Sequence, residues 1–146
     1  MSAKAVLISI HPSHAEKIIS GEKKLEFRRS WTNSSIDRIV IYATSPIQRI
    51  IGVAEVKRVF SGSPTKLWRL AKSGDGGISR RALFSYFKGK EKAFAIELGQ
   101  VHVINGGGLP ISIFGKDFRP PQSFRYLSED DYSKVDEFMK KSSPKR

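Results

Sequence analysis

There is no cysteine among the 146 residues. Disulfides and thiol chemistry are thereby excluded, and the redox compartment is left undetermined. No apolar run approaches the ~20 residues that a membrane-spanning helix needs. The opening stretch, Met1 to Ile10, has only a brief apolar run before His11-Pro12 and reads as a first strand, not a signal peptide. With no export signal, the expected location is the cytoplasm. Acidic residues are scarce: 14 Asp and Glu stand against 26 Lys and Arg, a formal net charge of +12 with a pI near 10.1. A small domain this basic is most simply explained by a polyanionic partner, nucleic acid first. An anionic membrane surface would call for a basic amphipathic helix with a bulky apolar face, and none is visible.

Other chemistry-bearing patterns are missing too. Gly106-Gly107-Gly108 lacks the lysine and helix that make a phosphate-cradling loop. There is no nucleophile elbow and no acid cluster for a metal. His11 and His14 stand three apart at a helix start, but no third ligand accompanies them, so no metal or other cofactor is called for.

What is present suits one folded domain, with 39% hydrophobic and 10% aromatic residues. Strands are expected at Val6 to Ile10, Ile36 to Ala43, Ile50 to Phe60 and Ala93 to Leu98, the last continued or paired by Gln100 to Ile104. Gly52 inside its strand implies a bulge or the close approach of another backbone. Helices are expected from His11 to Ser20, with Ser13 and Glu16 at capping-box spacing, and from Thr65 to Ser73 behind Ser63-Pro64. A third runs from Ser79 to about Phe87, and Ser128 caps a last one with acids in its first turn and lysines in its last. Ser30 to Ser35, Gly74 to Gly77 and Asn105 to Gly108 read as loops, and Ile111 to Phe114 as a short extended piece. Five or six strands with helices inserted, and no regular alternation, predict an α+β fold: a small, mostly antiparallel β-barrel with helices packed outside. Residues 1–141 form the domain and 142–146 a frayed basic tail.

The stretch from Gly21 to Arg29 concentrates charge of both signs. Leu25 and Phe27 alternate with Lys24, Glu26 and Arg28, the period of a half-buried strand with a carboxylate between two cations on one face. Strict alternation puts Lys24, not Lys23, beside Glu26, unless a bulge or the first twist of the strand turns Lys23 inward. An Arg beside a carboxylate forms an ion pair whose remaining donors can reach a base edge or a phosphate.

Gly21-x-Lys23-x-x-Glu26-x-Arg28 resembles the GxKxxExR signature of the ASCH domain (activating signal cointegrator homology), a branch of the PUA-like barrels. Further segments are similar in order along the chain: Ser9 to Pro12, Ile41 to Pro46, Ile51 to Glu55, Tyr86 to Gly89, Ala93 to Glu97 and Pro120 to Leu127. The resemblance implies a PUA-like barrel with a cleft lined by the signature residues, and RNA or a nucleotide as partner. Some relatives deacylate N4-acetylcytidine, using the signature lysine, a threonine three residues later and a glutamate further on. Here Lys23 matches the lysine, Glu26 stands at the threonine position, and Ile78 to Arg81 offers no acid where the glutamate falls. Two functions are therefore carried forward, with a nuclease as a weaker third, since there is no acid cluster for a metal and no histidine pair in a suitable context. One is a nucleic-acid-binding module that holds RNA or a nucleotide with Lys23, Glu26, Arg28, Ser9 and Ser45, stacking on Trp31 or Tyr42. The other is an amidohydrolase with Lys23 as base, Glu26 in its site, and Ser9, Ser45 or water attacking. Arg80, Arg81, Lys88, Lys90 and Lys92 extend the candidate backbone track.

Overall fold

The structure is a computed structural model that describes residues 4–72 and 76–142. Its elements are β1 (Ala5–Ile10), α1 (Pro12–Ser20), β2 (Leu25–Arg28), β3 (Arg38–Ala43), β4 (Arg49–Gly62), α2 (Pro64–Ala71), α3 (Arg80–Tyr86), β5 (Ala93–Gly108), α4 (Pro110–Phe114), β6 (Phe124–Leu127) and α5 (Glu129–Ser142). The six strands form one sheet in the order β2-β5-β4-β3-β1-β6. Among the described residues only β1 and β3 run parallel, and the other pairings are antiparallel. The sheet curls into a half-barrel with five helices around it, so the expected α+β barrel with outer helices is the observed fold.

Alternation along the strands sorts the core. Val6, Ile8 and Ile10 of β1 and Ile39 and Ile41 of β3 pack with Ala15 and Ile18 of α1. Leu7, Val40 and Tyr42 point the other way, toward Ile113 of α4 and Val135 of α5. A third cluster buries Leu25 and Phe27 of β2 beneath Leu67, Leu83 and Phe87. Trp31, expected as an exposed stacking surface, belongs to the first cluster. It is 9% exposed, packed with Ile36 and with its ring centroid 5.1 Å from that of Phe124 on β6.

The helix ends follow local chemistry. Ser63 and Ser79 cap α2 and α3, accepting from Lys66 N and Ala82 N, and Ser128 accepts from Asp131 N. At α1 the capping residue is His11, not Ser13: its Nδ1 accepts from Ser13 N at 3.2 Å, and Pro12 opens the helix. Gly21 ends α1 in the left-handed region.

Three expectations are corrected. Asn105 to Gly108 is not a loop after a strand but the end of the 16-residue β5. Between the pairs Gly52–Val103 and Ile50–Gly108 the ladder slips, so the glycines form an irregular stretch inside the strand. Ile111 to Phe114 is helical, because Pro110 presets the first turn and Ile113 is buried. Phe124 to Leu127, left without an element, pairs with β1 as β6. The end of the expected second helix at Ser73, the start of the 74–77 loop and the tail from 143 lie outside the described residues. Among the described residues, no helix is long and apolar enough to cross a membrane.

Candidate functional site

The charged stretch resolves its own register problem. The strand begins only at Leu25. Lys23 lies ahead of it, where its backbone N–H bonds to Lys17 O at 2.9 Å. Alternation therefore does not bind Lys23, and its side chain turns into the same cleft as Glu26 and Arg28, while Lys24 stays exposed. All four residues of β2 are buried: Leu25 and Phe27 beneath α2 and α3, Glu26 and Arg28 toward the cleft.

The cleft holds about 580 Å³, within the range of small-molecule sites. One wall is the junction of β1 and α1, with Ser9, His11 and His14; β2 supplies Glu26 and Arg28; Ala82 and Tyr86 of α3 face them; Gln122 closes one end. Arg28 is its most heavily anchored group. One guanidinium nitrogen reaches Glu26 Oε2 at 3.2 Å and Ser9 O at 3.3 Å, while the other donates to Ser123 O at 3.0 Å and Ser123 Oγ at 2.9 Å. Two buried charges are thus neutralised and fixed in geometry.

Lys23 is 3% exposed. Its ammonium donates to Gly76 O at 2.6 Å and lies 4.7 Å from the Phe27 ring centroid. Burial pulls this ammonium down to about 8, opposed by the nearby Glu26 carboxylate and reinforced by Lys17. Lys17 donates to the next carbonyl, Gly77 O, at 3.0 Å. Two lysines thus pin one short segment over the cleft. Gly77 has φ +60°, and a Cβ there would sit 3.0 Å from Lys23 Cβ; the close approach of the segment to Lys23 depends on that glycine. His14 is half-buried, and its Nδ1 is buried with no hydrogen-bond partner. Burial, then the Lys23 charge, lowers its pKa below the ordinary histidine value.

Of the residues singled out in the sequence, Ser9, Lys23, Glu26 and Arg28 converge on this cleft. The Ser9 hydroxyl is engaged with Pro121 O at 2.6 Å. Tyr42 is buried on the other face of the sheet, its ring tilted against that of Phe118 with centroids 5.6 Å apart. Ser45 is exposed in the turn after β3, beside a cis bond to Pro46, and lines no part of the cleft. Two aromatic residues line the cleft: Phe27, which is buried, and Tyr86, 39% exposed on α3. Arg29 donates to Tyr86 O and Lys88 O and so fixes the end of that helix. Arg80, Arg81, Lys88 and Lys92 are exposed on and after α3. Among the described residues, no three His, Cys, Asp or Glu side chains gather as a metal site.

The family model for the ASCH domain matches residues 8–102. The chain belongs to the ASCH family. It is 33% identical over 135 residues to an ASCH domain-containing ribonuclease of Zymomonas mobilis, covering 90% of both chains. The crystal structure of ASCH from Zymomonas mobilis superposes with a TM-score of 0.82 at 33% identity, covering 92% of this chain and 94% of that one. A more distant relative, large ribosomal subunit protein uL22 of Ureaplasma parvum, is 27% identical over 96 residues, 65% of this chain and 30% of that protein. Tyr86 and Gln122 line the cleft as well; in the sequence they stand only within the ASCH-like segments Tyr86 to Gly89 and Pro120 to Leu127, with no role of their own. His14 was visible only as half of an incomplete metal pair. Ser123, which clamps Arg28 from 95 positions away, is not legible from spacing.

Proposed function

We propose that this ASCH protein binds single-stranded RNA and cleaves it at the Lys23–Glu26–Arg28 cleft. The observation that carries the reading is Lys23. It is a buried ammonium brought down to about 8, held in a cleft of about 580 Å³, on a chain of net charge +12. Such a group is positively charged at neutral pH, where it attracts a phosphodiester. Its neutral fraction can take the proton of the RNA's own 2′-hydroxyl as that oxygen bonds to the adjacent phosphorus, the bond from phosphorus to the 5′-oxygen breaks, and the leaving oxygen takes a proton from the lysine or from water. Arg28 and Glu26 hold the wall beside it rigid, Tyr86 offers a face for a base, and the exposed cations on and after α3 follow the backbone. The Zymomonas relative named as a ribonuclease supports RNA as the substrate class.

One observation favours a second reading. A lysine near neutrality also suits deacylation of an N4-acylated cytidine. Against it, Glu26 occupies the threonine position, and Ile78 lines the cleft in the segment where an acid is needed.

The deciding experiment offers a fluorescent oligouridylate and N4-acetylcytidine separately to the wild-type chain and to Lys23→Ala. Strand scission by the wild type, lost in Lys23→Ala, is the expected result. Deacylation without scission would replace the first reading by the second. Tight RNA binding with neither turnover would leave a binding module, and no RNA binding at all would end the RNA reading.

A further inference from the structure

The cleft contains one ionisable side chain without an evident task. Glu26 and Arg28 hold each other, and Lys23 is the proposed proton-transfer group. His14 remains, with its ring in the cleft wall and Nδ1 buried without a partner. A neutral imidazole has one N–H and one lone pair. A buried N–H with no acceptor is rarer and more costly than a buried acceptor with no donor, so the lone pair belongs on Nδ1 and the proton on Nε2. The ring is also kept uncharged. Its burial opposes protonation, as do Lys23 across the cleft and Lys17 and His11 on or next to its own helix, while Glu26 alone favours it.

We propose that His14 is a recognition residue of the cleft, a neutral imidazole that donates its Nε2–H to a phosphoryl oxygen of the bound RNA beside the Lys23 ammonium. The acceptor follows from the inventory of the walls. Lys23, His14 and the Gln122 amide offer donors, and Glu26 gives its Oε2 to Arg28, so the donors favour a group rich in acceptors; a phosphodiester is such a group. A neutral donor adds geometric selection without adding charge, which separates its effect from the salt-dependent attraction of the lysines. The assignment rests on the RNA reading for its ligand, but not for its tautomer.

Two measurements test it. In long-range proton–nitrogen spectra of the free, 15N-histidine-labelled protein at pH 7, His14 is expected with its proton on Nε2. A proton on Nδ1, or an imidazolium, would overturn the proposal. In binding titrations with an oligouridylate and with an abasic oligomer of equal length, His14→Leu is expected to weaken both about 10- to 100-fold, the range of a hydrogen bond to a charged group. His14→Gln, which keeps an N–H donor, should stay within about 3-fold of wild type. Equal affinity for His14→Leu and wild type overturns the assignment, as does a His14→Gln variant as weak as His14→Leu. A loss seen only with the base-bearing oligomer overturns the phosphate as acceptor. Absence of RNA binding by the wild type removes the RNA reading and the phosphate with it, while the tautomer is decided by the spectra alone.

Discussion

Lys23 ties stability and function in opposite directions. Its ammonium sits near 8 in the folded chain against an ordinary 10.5. Between those values the unfolded chain binds the extra proton, so this residue makes stability rise with pH from about 8 to about 10.5. The difference amounts to at most about 3 kcal/mol. Urea titrations across that window should show the rise in wild type and not in Lys23→Met. At pH 7, where burying the charge is unfavourable, Lys23→Met should be at least as stable as wild type and unable to cleave RNA. RNA affinity in wild type should also fall as pH passes about 8, since the cation is lost there. The Arg28–Glu26 pair behaves differently, because each partner neutralises the other in a buried place. Arg28→Ala strands a buried carboxylate and should destabilise by about 3–5 kcal/mol, a large part of the 5–15 kcal/mol typical of a domain. Adding Glu26→Gln should recover part of that loss in the same denaturation assay. Residue types and their spacing made Lys23, Glu26 and Arg28 legible in advance. Burial was not legible, since most runs of charge face water.

Elements were read well where one local rule governs them. The serine caps of α2 and α3, the proline at the start of α2 and the glycine end of α1 need only neighbours in the chain, and these stand as expected, whereas Pro12 moves the cap of α1 from Ser13 to His11. Gly52 was legible for a different reason: a glycine inside a strand marks a bulge or the close approach of another backbone. A Cβ at Gly52 would lie 2.8 Å from His102 O and 3.2 Å from Ile19 Cδ1, where β4, β5 and α1 meet. Gly52→Ala should therefore lower stability by about 1–3 kcal/mol, visible as a reduced Tm with an unchanged spectrum of secondary structure. Elements were misread where distant partners override local preference. The glycines at 106–108 look like a turn, but Gly108 pairs with Ile50 of β4, so the ladder resumes past Gly106 and Gly107 and the stretch stays within β5. Ile111 to Phe114 has strand-forming residues, yet Pro110 and the burial of Ile113 make it a helix. The four residues of β6 are too few to announce themselves and exist as a strand because β1 presents an edge.

At the scale of the molecule, the excess of 26 basic over 14 acidic residues predicts how RNA binding responds to salt. If about three phosphates are neutralised on a single strand, affinity should fall roughly tenfold or more between 50 and 200 mM salt. Replacing Arg80 and Arg81 together with Gln should flatten that dependence without changing the Tm. A flat salt response in wild type would argue against a phosphate track beside α3. Composition is informative here because long-range electrostatics sum over the whole surface, whatever the fold.

The sequence alone determined three things: a small basic domain, the capped ends of its helices, and an ASCH signature carrying Lys23, Glu26 and Arg28. Each is a property of composition or of residues within a few positions of one another. Tertiary structure decided which of those residues share a site. It freed Lys23 from strand alternation by starting β2 at Leu25 and closed the 76–77 segment over its ammonium. It brought Ser123 to Arg28 and Tyr86 and His14 to the same cleft, and it withdrew Trp31 and Tyr42 into the core. Desolvation and convergence arise from packing elements far apart in the chain, so no local pattern encodes them.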